Sequence, residues 1–181
     1  EKLPFHMPVI IGLLDEEGND IALQQGTSQL LEVTQTEQTF SFENIPCKPV
    51  PSLLRGFSAP VKMDFNYSRE QLVFLISHDS DGFNRWEAAQ KLGVDIILEL
   101  VRKLSMGATL ELDNRLVEAF RAVLSDSQLD KAMIAEVLTL PSELYLHELC
   151  DTVDVANIHK ARNFVRQGLA KALEIEFLAA Y

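Results

Sequence analysis

The spacing of the apolar residues changes once along this chain, at Ser68-Arg69-Glu70-Gln71, and that change restricts the fold more than any other feature. Before it, from Phe5 to about Phe65, apolar residues come in short runs broken by turn chemistry, the pattern of strands. After it they recur every three or four positions, the pattern of amphipathic helices. Two periods in one chain predict an α+β protein of two domains, an all-β module over residues 1–67 and an α-helical array over 68–181.

In the first half, Phe5 to Leu14 is the longest apolar run. It ends at Asp15-Glu16-Glu17-Gly18-Asn19-Asp20, where Gly18 and Asn19 suit the positive φ of a hairpin turn, and Ile21-Ala22-Leu23 reads as a short return strand. Leu30-Leu31-Glu32-Val33 and Thr36 to Phe42 add two strands rich in β-branched and aromatic residues. Pro46, Pro49 and Pro51 cannot donate to a central ladder, so they mark a loop or sheet edge before further strands at Leu53 to Ser58 and Val61 to Phe65. Five to seven short strands with frequent turns predict a small sandwich of immunoglobulin-like type.

In the second half, Ser68 and Gln71 have the spacing of a capping box ahead of Leu72 to Ile76, which predicts a helix over 69–78. A strand over Gln71 to Ser77 is the alternative, and the cap favours the helix. Asp81 is placed to cap a helix over 82–104 with an apolar face of Trp86, Ala89, Leu92, Ile97 and Leu100 among others. Asp113, Asp130 and Ser142 are placed to cap three shorter helices, the second through Leu138 and the third to about Cys150. Asp154 opens a long amphipathic helix predicted to reach the C-terminus. Successive helices on short links predict stacked antiparallel pairs. The last of them ends on Phe177-Leu178-Ala179-Ala180-Tyr181, an apolar end that expects a continuation, and the start at Glu1 without an initiator Met or leader expects an excised or processed piece.

Composition removes several classes of function. Lys and Arg number 16 against 27 Asp and Glu, a formal charge of −11, which disfavours nucleic acid and anionic membranes as partners. Every apolar stretch is interrupted well short of the roughly 20 residues that span a bilayer. Cys47 and Cys150 lie in segments of different character, so two free thiols and a reducing cytoplasm are expected rather than a disulfide framework.

Few residues suggest chemistry. His147-Glu148-Leu149-Cys150-Asp151 begins like a zinc-peptidase helix but lacks the second His at i+4; Asp151 and His159 are weak substitutes, and a partly exposed helical His is the expectation. His78-Asp79-Ser80-Asp81 holds the residue types of a triad or metal site, but neighbours in one loop seldom converge on one reacting atom, and capping is expected. Arg85-Trp86-Glu87 has the types that bind a peptide terminus; burial at a helix face with Arg85 held by a nearby carboxylate is the expectation. Glycines occur singly, with no phosphate cradle; Asp15-Glu16-Glu17 reads as a solvated turn and His6 as structural. No catalytic, cofactor-binding or metal residue is assigned.

The string Leu75-Ile76-Ser77-His78-Asp79-Ser80-Asp81-Gly82-Phe83-Asn84-Arg85-Trp86-Glu87-Ala88-Ala89-Gln90 resembles the segment joining the β-sandwich and helical domains of bacterial aminopeptidase N, a gluzincin zinc-peptidase family. Val33 to Phe40, Pro49 to Lys62, Ala119 to Leu124 and Leu138 to Ser142 resemble the same family, in order. The resemblance implies an enzyme that removes N-terminal residues from peptides with zinc held by an HExxH helix and a later Glu, all in an upstream catalytic domain. It implies that this chain is the immunoglobulin-like domain plus the opening helices of the C-terminal helical domain, and that zinc is absent from this chain. It also implies partners within the same protein, namely the catalytic domain and the remaining C-terminal helices, with the helices covering the active-site chamber. The rival reading is a self-standing helical module whose concave face binds a peptide or protein.

Overall fold

The computed structural model describes residues 4–180. Tyr181, part of the predicted apolar end, lies outside them, as do Glu1, Lys2 and Leu3. The chain divides into two compact units, Glu1–Arg85 and Trp86–Tyr181.

The first unit is built on a three-stranded antiparallel sheet. β1 (Met7–Leu14) is central, flanked by β2 (Gln29–Val33) and β3 (Val50–Leu53) in the order β2-β1-β3. Met7 faces Val33 and Ile11 faces Gln29 on one side, while Ile11 faces Leu53 and Leu14 faces Val50 on the other. Val9, Ile11 and Leu13 alternate into one core with Ile21, Leu54 and Ala59. Leu14, fully buried, is on the opposite face, which explains why the β1 sequence is apolar almost throughout. Pro51 sits on β3, an edge strand, as its missing donor requires. Helix α1 (Arg69–His78) completes this unit and packs against β3. Its capping box forms as expected, Ser68 Oγ accepting from the Gln71 N–H and Gln71 Oε1 from the Ser68 N–H, which excludes the alternative strand.

The α+β class holds, but no full sandwich is present among the described residues. The return strand at Ile21 to Leu23 is reduced to isolated bridges, and of the two turn residues only Gly18 has positive φ. Thr36 to Phe42 joins no ladder: the Gln38 side chain accepts from the Thr34 N–H and donates to the Glu32 carbonyl, so a side chain closes the segment locally where a strand partner was expected. Its alternation still registers in packing, since Phe42 lies against the core; Val61 and Met63 do the same without backbone pairing. Leu53 to Ser58 is not a strand beyond Leu53. Leu54 enters the left-handed region at φ 61° and begins the 3-10 turn Arg55–Phe57.

The second unit is helical, with seven α-helices among the described residues of the whole chain. α2 (Gly82–Ser105) runs into it, followed by α3 (Asn114–Ser125), α4 (Lys131–Val137), α5 (Glu143–Glu148), α6 (Val155–Ala172) and α7 (Glu174–Ala180). The caps are those of the sequence: Asp81, Asp113, Asp130, Ser142 and Asp154 each accept a backbone N–H two or three residues on. Leu92, Ile96, Ile97 and Leu100 bury the inner face of α2. Gly93 lets α2 meet Pro141 closely, since a Cβ there would lie 2.9 Å from its ring. The single long C-terminal helix is not observed. Fully buried Leu173 leaves helical geometry at φ −118°, ψ 21°, and α7 turns to pack on α3.

Candidate functional site

The densest polar arrangement in the first unit centres on Arg55. The left-handed turn at Leu54 returns its side chain over β1, where Gly12 leaves the space; a Cβ on Gly12 would overlap the guanidinium. Nε donates to Ser52 Oγ at 2.8 Å, Nη1 to Ser28 Oγ at 3.1 Å and the Thr27 carbonyl at 3.4 Å, and Nη2 to Asp20 Oδ1 at 2.5 Å and Asp79 Oδ1 at 3.4 Å. The Arg55 side chain is 6% exposed and that of Asp79 0%, so this is a buried ion pair.

The His78-Asp79-Ser80-Asp81 loop wraps this arginine. Asp79 Oδ1 also accepts from the Asp81 N–H, and the Asp79 carbonyl accepts from Arg85 Nε at 2.6 Å. Ser80 Oγ donates to Asp20 Oδ2, Asp81 Oδ2 accepts from the Gly56 N–H, and Asn84 Nδ2 donates to Ser52 Oγ. His78 points elsewhere, exposed, its ring against that of Phe74 with centroids 4.9 Å apart and planes tilted by 45°. Histidine, carboxylate and hydroxyl therefore do not converge, and the loop's work is to clamp the corner between α1 and α2. Arg85 is buried as expected, and its Nε donates to the Asp79 backbone carbonyl.

Asp79 Oδ2 is buried without a hydrogen-bond partner. Burial pushes the Asp79 carboxyl above its ordinary value; the Asp81 N–H, the Ser52 hydroxyl and the Arg55 charge pull the other way without reversing the shift. A raised folded-state value means the folded form binds the proton more tightly than the unfolded form. This contribution to stability is full below the ordinary value of 3.8 and is lost as pH rises to the raised value. Chemical denaturation of the wild type and Asp79→Asn across that range should show the wild type losing stability relative to the variant as pH rises; a relative gain would mean that Arg55 outweighs burial.

In the second unit the zinc-like residues are dispersed. His159 Nδ1 meets Glu143 Oε1 at 2.9 Å and its Nε2 meets Asn163 Nδ2 at 2.7 Å. Glu148 and Asp151 are exposed, and His147 Nε2 is buried without a partner. Among the described residues no group of three or more His, Cys, Asp and Glu side chains is placed to hold a metal ion, so these residues do not fit zinc.

Arg121 fastens α7 to α3, donating through Nε to Glu176 Oε1 at 2.6 Å and through Nη1 to Glu118 Oε1 at 2.7 Å; hydrogen bonding to Arg121 holds the Glu176 carboxyl below its ordinary value. Beside this lies a cleft of about 320 Å³ with Phe120, Leu138, Leu140, Leu169 and Phe177 in its lining. Arg162 and Arg166, one turn apart on α6, also line it. Arg162 is spent on the Pro141 and Leu140 carbonyls. Neither Arg55 nor this cleft was singled out from the sequence. Gly12 inside an apolar strand was the available signal for the first; the second depends on the break at Leu173, which the periodicity conceals.

Comparison with known proteins places both units. Residues 1–66 match a domain of unknown function described as having an Ig-like fold (DUF3458), and residues 69–181 match its companion described as ARM repeats (DUF3458_C). The whole chain is 45% identical to aminopeptidase N of Escherichia coli and 35% identical to that of Haemophilus influenzae, in each case spanning 21% of the relative. The crystal structure of Legionella pneumophila aminopeptidase A in complex with aspartic acid superposes on 96% of this chain with a TM-score of 0.81 at 37% identity, over 20% of that protein. The chain thus spans about a fifth of the length of the relatives it matches. It belongs to the DUF3458 and DUF3458_C families and is the counterpart of the Ig-like and ARM-repeat portion of the bacterial aminopeptidases N.

Proposed function

We propose that this chain is a non-catalytic structural portion of a cytoplasmic, zinc-dependent aminopeptidase that removes N-terminal residues from peptides. Its two modules, 1–67 and 68–181, join an upstream catalytic domain to the remaining C-terminal helices and help position the helical cover over the active-site chamber. The observation that carries this reading is similarity over the whole chain to one portion of aminopeptidases. Among the described residues no helix is long and apolar enough to cross a membrane.

The purified 181-residue chain, incubated with zinc and leucine p-nitroanilide, should release no nitroaniline above the metal blank. Zinc-dependent release by the chain alone would overturn the proposal. Saturable binding of a peptide by the chain, with no peptidase encoded beside it, would favour the self-standing module.

A further inference from the structure

We propose that the cleft between α3, α6 and α7 is the docking site for a further helix of the same polypeptide, one that brings a carboxylate to Arg166 beside apolar side chains. The inference rests on the reading of the chain as part of a larger aminopeptidase. Three observations carry it. Arg166 is exposed at the cleft and has no hydrogen bond or ion pair among the described residues, in a chain of net charge −11. The cleft around it is apolar, and the apolar surface continues along α7, where Ile175 is 80% exposed, Leu178 71% and Phe177 40%. Its volume of about 320 Å³ suits the side chains of a packed helix and is at the bottom of the range of small-molecule pockets.

The charge requirement follows from desolvation. Anything that covers the apolar lining also removes water from the Arg166 guanidinium, and a buried cation without a partner is costly. Arg162 cannot relieve it, being a cation itself, and Glu176 is occupied by Arg121. The cover must therefore carry the acid. A helix is the fitting element because ARM-type repeats bury their faces by stacking on the next helix, and the relatives are about five times longer than this chain.

Phenylglyoxal labelling of Arg166, read by mass spectrometry, tests this in the 181-residue chain and in the full polypeptide that contains it. Arg166 should label readily in the chain alone and at least about tenfold more slowly in the full polypeptide, as expected for a site that must open locally to react. Ala170→Trp, which fills the cleft from an exposed position, should restore labelling in the full polypeptide without changing the fold of the chain alone. Equal labelling in both, with the full polypeptide still hydrolysing peptides, would overturn the docking proposal and leave the functional reading intact. Protection in a full polypeptide without peptidase activity would do the reverse. Protection of the chain alone at high concentration, abolished together with a dimer by Arg166→Glu, would assign the cleft to a second copy and overturn the proposal. Protection that appears only when a peptide is added would likewise overturn it.

Discussion

Arg55→Leu is expected to destabilise the first unit by about 3–5 kcal/mol, because it leaves the buried Asp79 carboxyl without its counter-ion. The loss extends beyond one pair. Ser52, Ser28, Asp20 and the Thr27 carbonyl all lose a donor, and the space above Gly12 is left to a smaller side chain. Urea unfolding followed by far-UV circular dichroism, with hydrogen exchange at β1 amides to assign the effect to this unit, measures it. Arg55→Leu with Asp79→Leu should recover a substantial part of the loss, since a matched apolar pair removes the orphaned carboxylate. A double variant as unstable as the sum of the single ones would show that the two side chains act independently, and the clamp would be the wrong description.

Leu173→Ala should cost the second unit about 2–5 kcal/mol, the range for truncating a fully buried leucine. Leu173 is where the chain leaves α6 and starts α7, so the cavity would form under the corner that Arg121 holds through Glu176. Ile175→Ala, two residues on but 80% exposed, should change stability by no more than about 0.5 kcal/mol in the isolated chain. Fluorescence of Trp86, the only tryptophan, reports both. Equal effects would mean that α7 is not anchored through Leu173.

What the sequence showed and concealed divides along physical lines. Helix starts were legible because a cap is a local event: Ser68, Asp113, Asp130, Ser142 and Asp154 each bond a backbone N–H within three residues. Strands were less so, because a ladder requires a distant partner. Thr36 to Phe42 alternates like a strand and buries like one at Phe42, yet Gln38 satisfies the backbone locally. The break at Leu173 left no mark, since the apolar residues keep helical spacing across it. The Arg55 hub gathers Ser52, Asp20, Ser28 and Asp79 from positions up to 35 residues away, a convergence that only the fold supplies. In the triad-like string, His78 lies against Phe74 while Asp79 meets Arg55 and Ser80 meets Asp20, so neighbours in sequence serve separate contacts.

The most direct test of the account is the sequence of the reading frame that continues upstream of Glu1 in the source genome. An in-frame HExxH with a downstream Glu would give this chain the catalytic domain it is proposed to support. A stop codon or an unrelated domain in that place would contradict the account and leave a helical module that acts by itself.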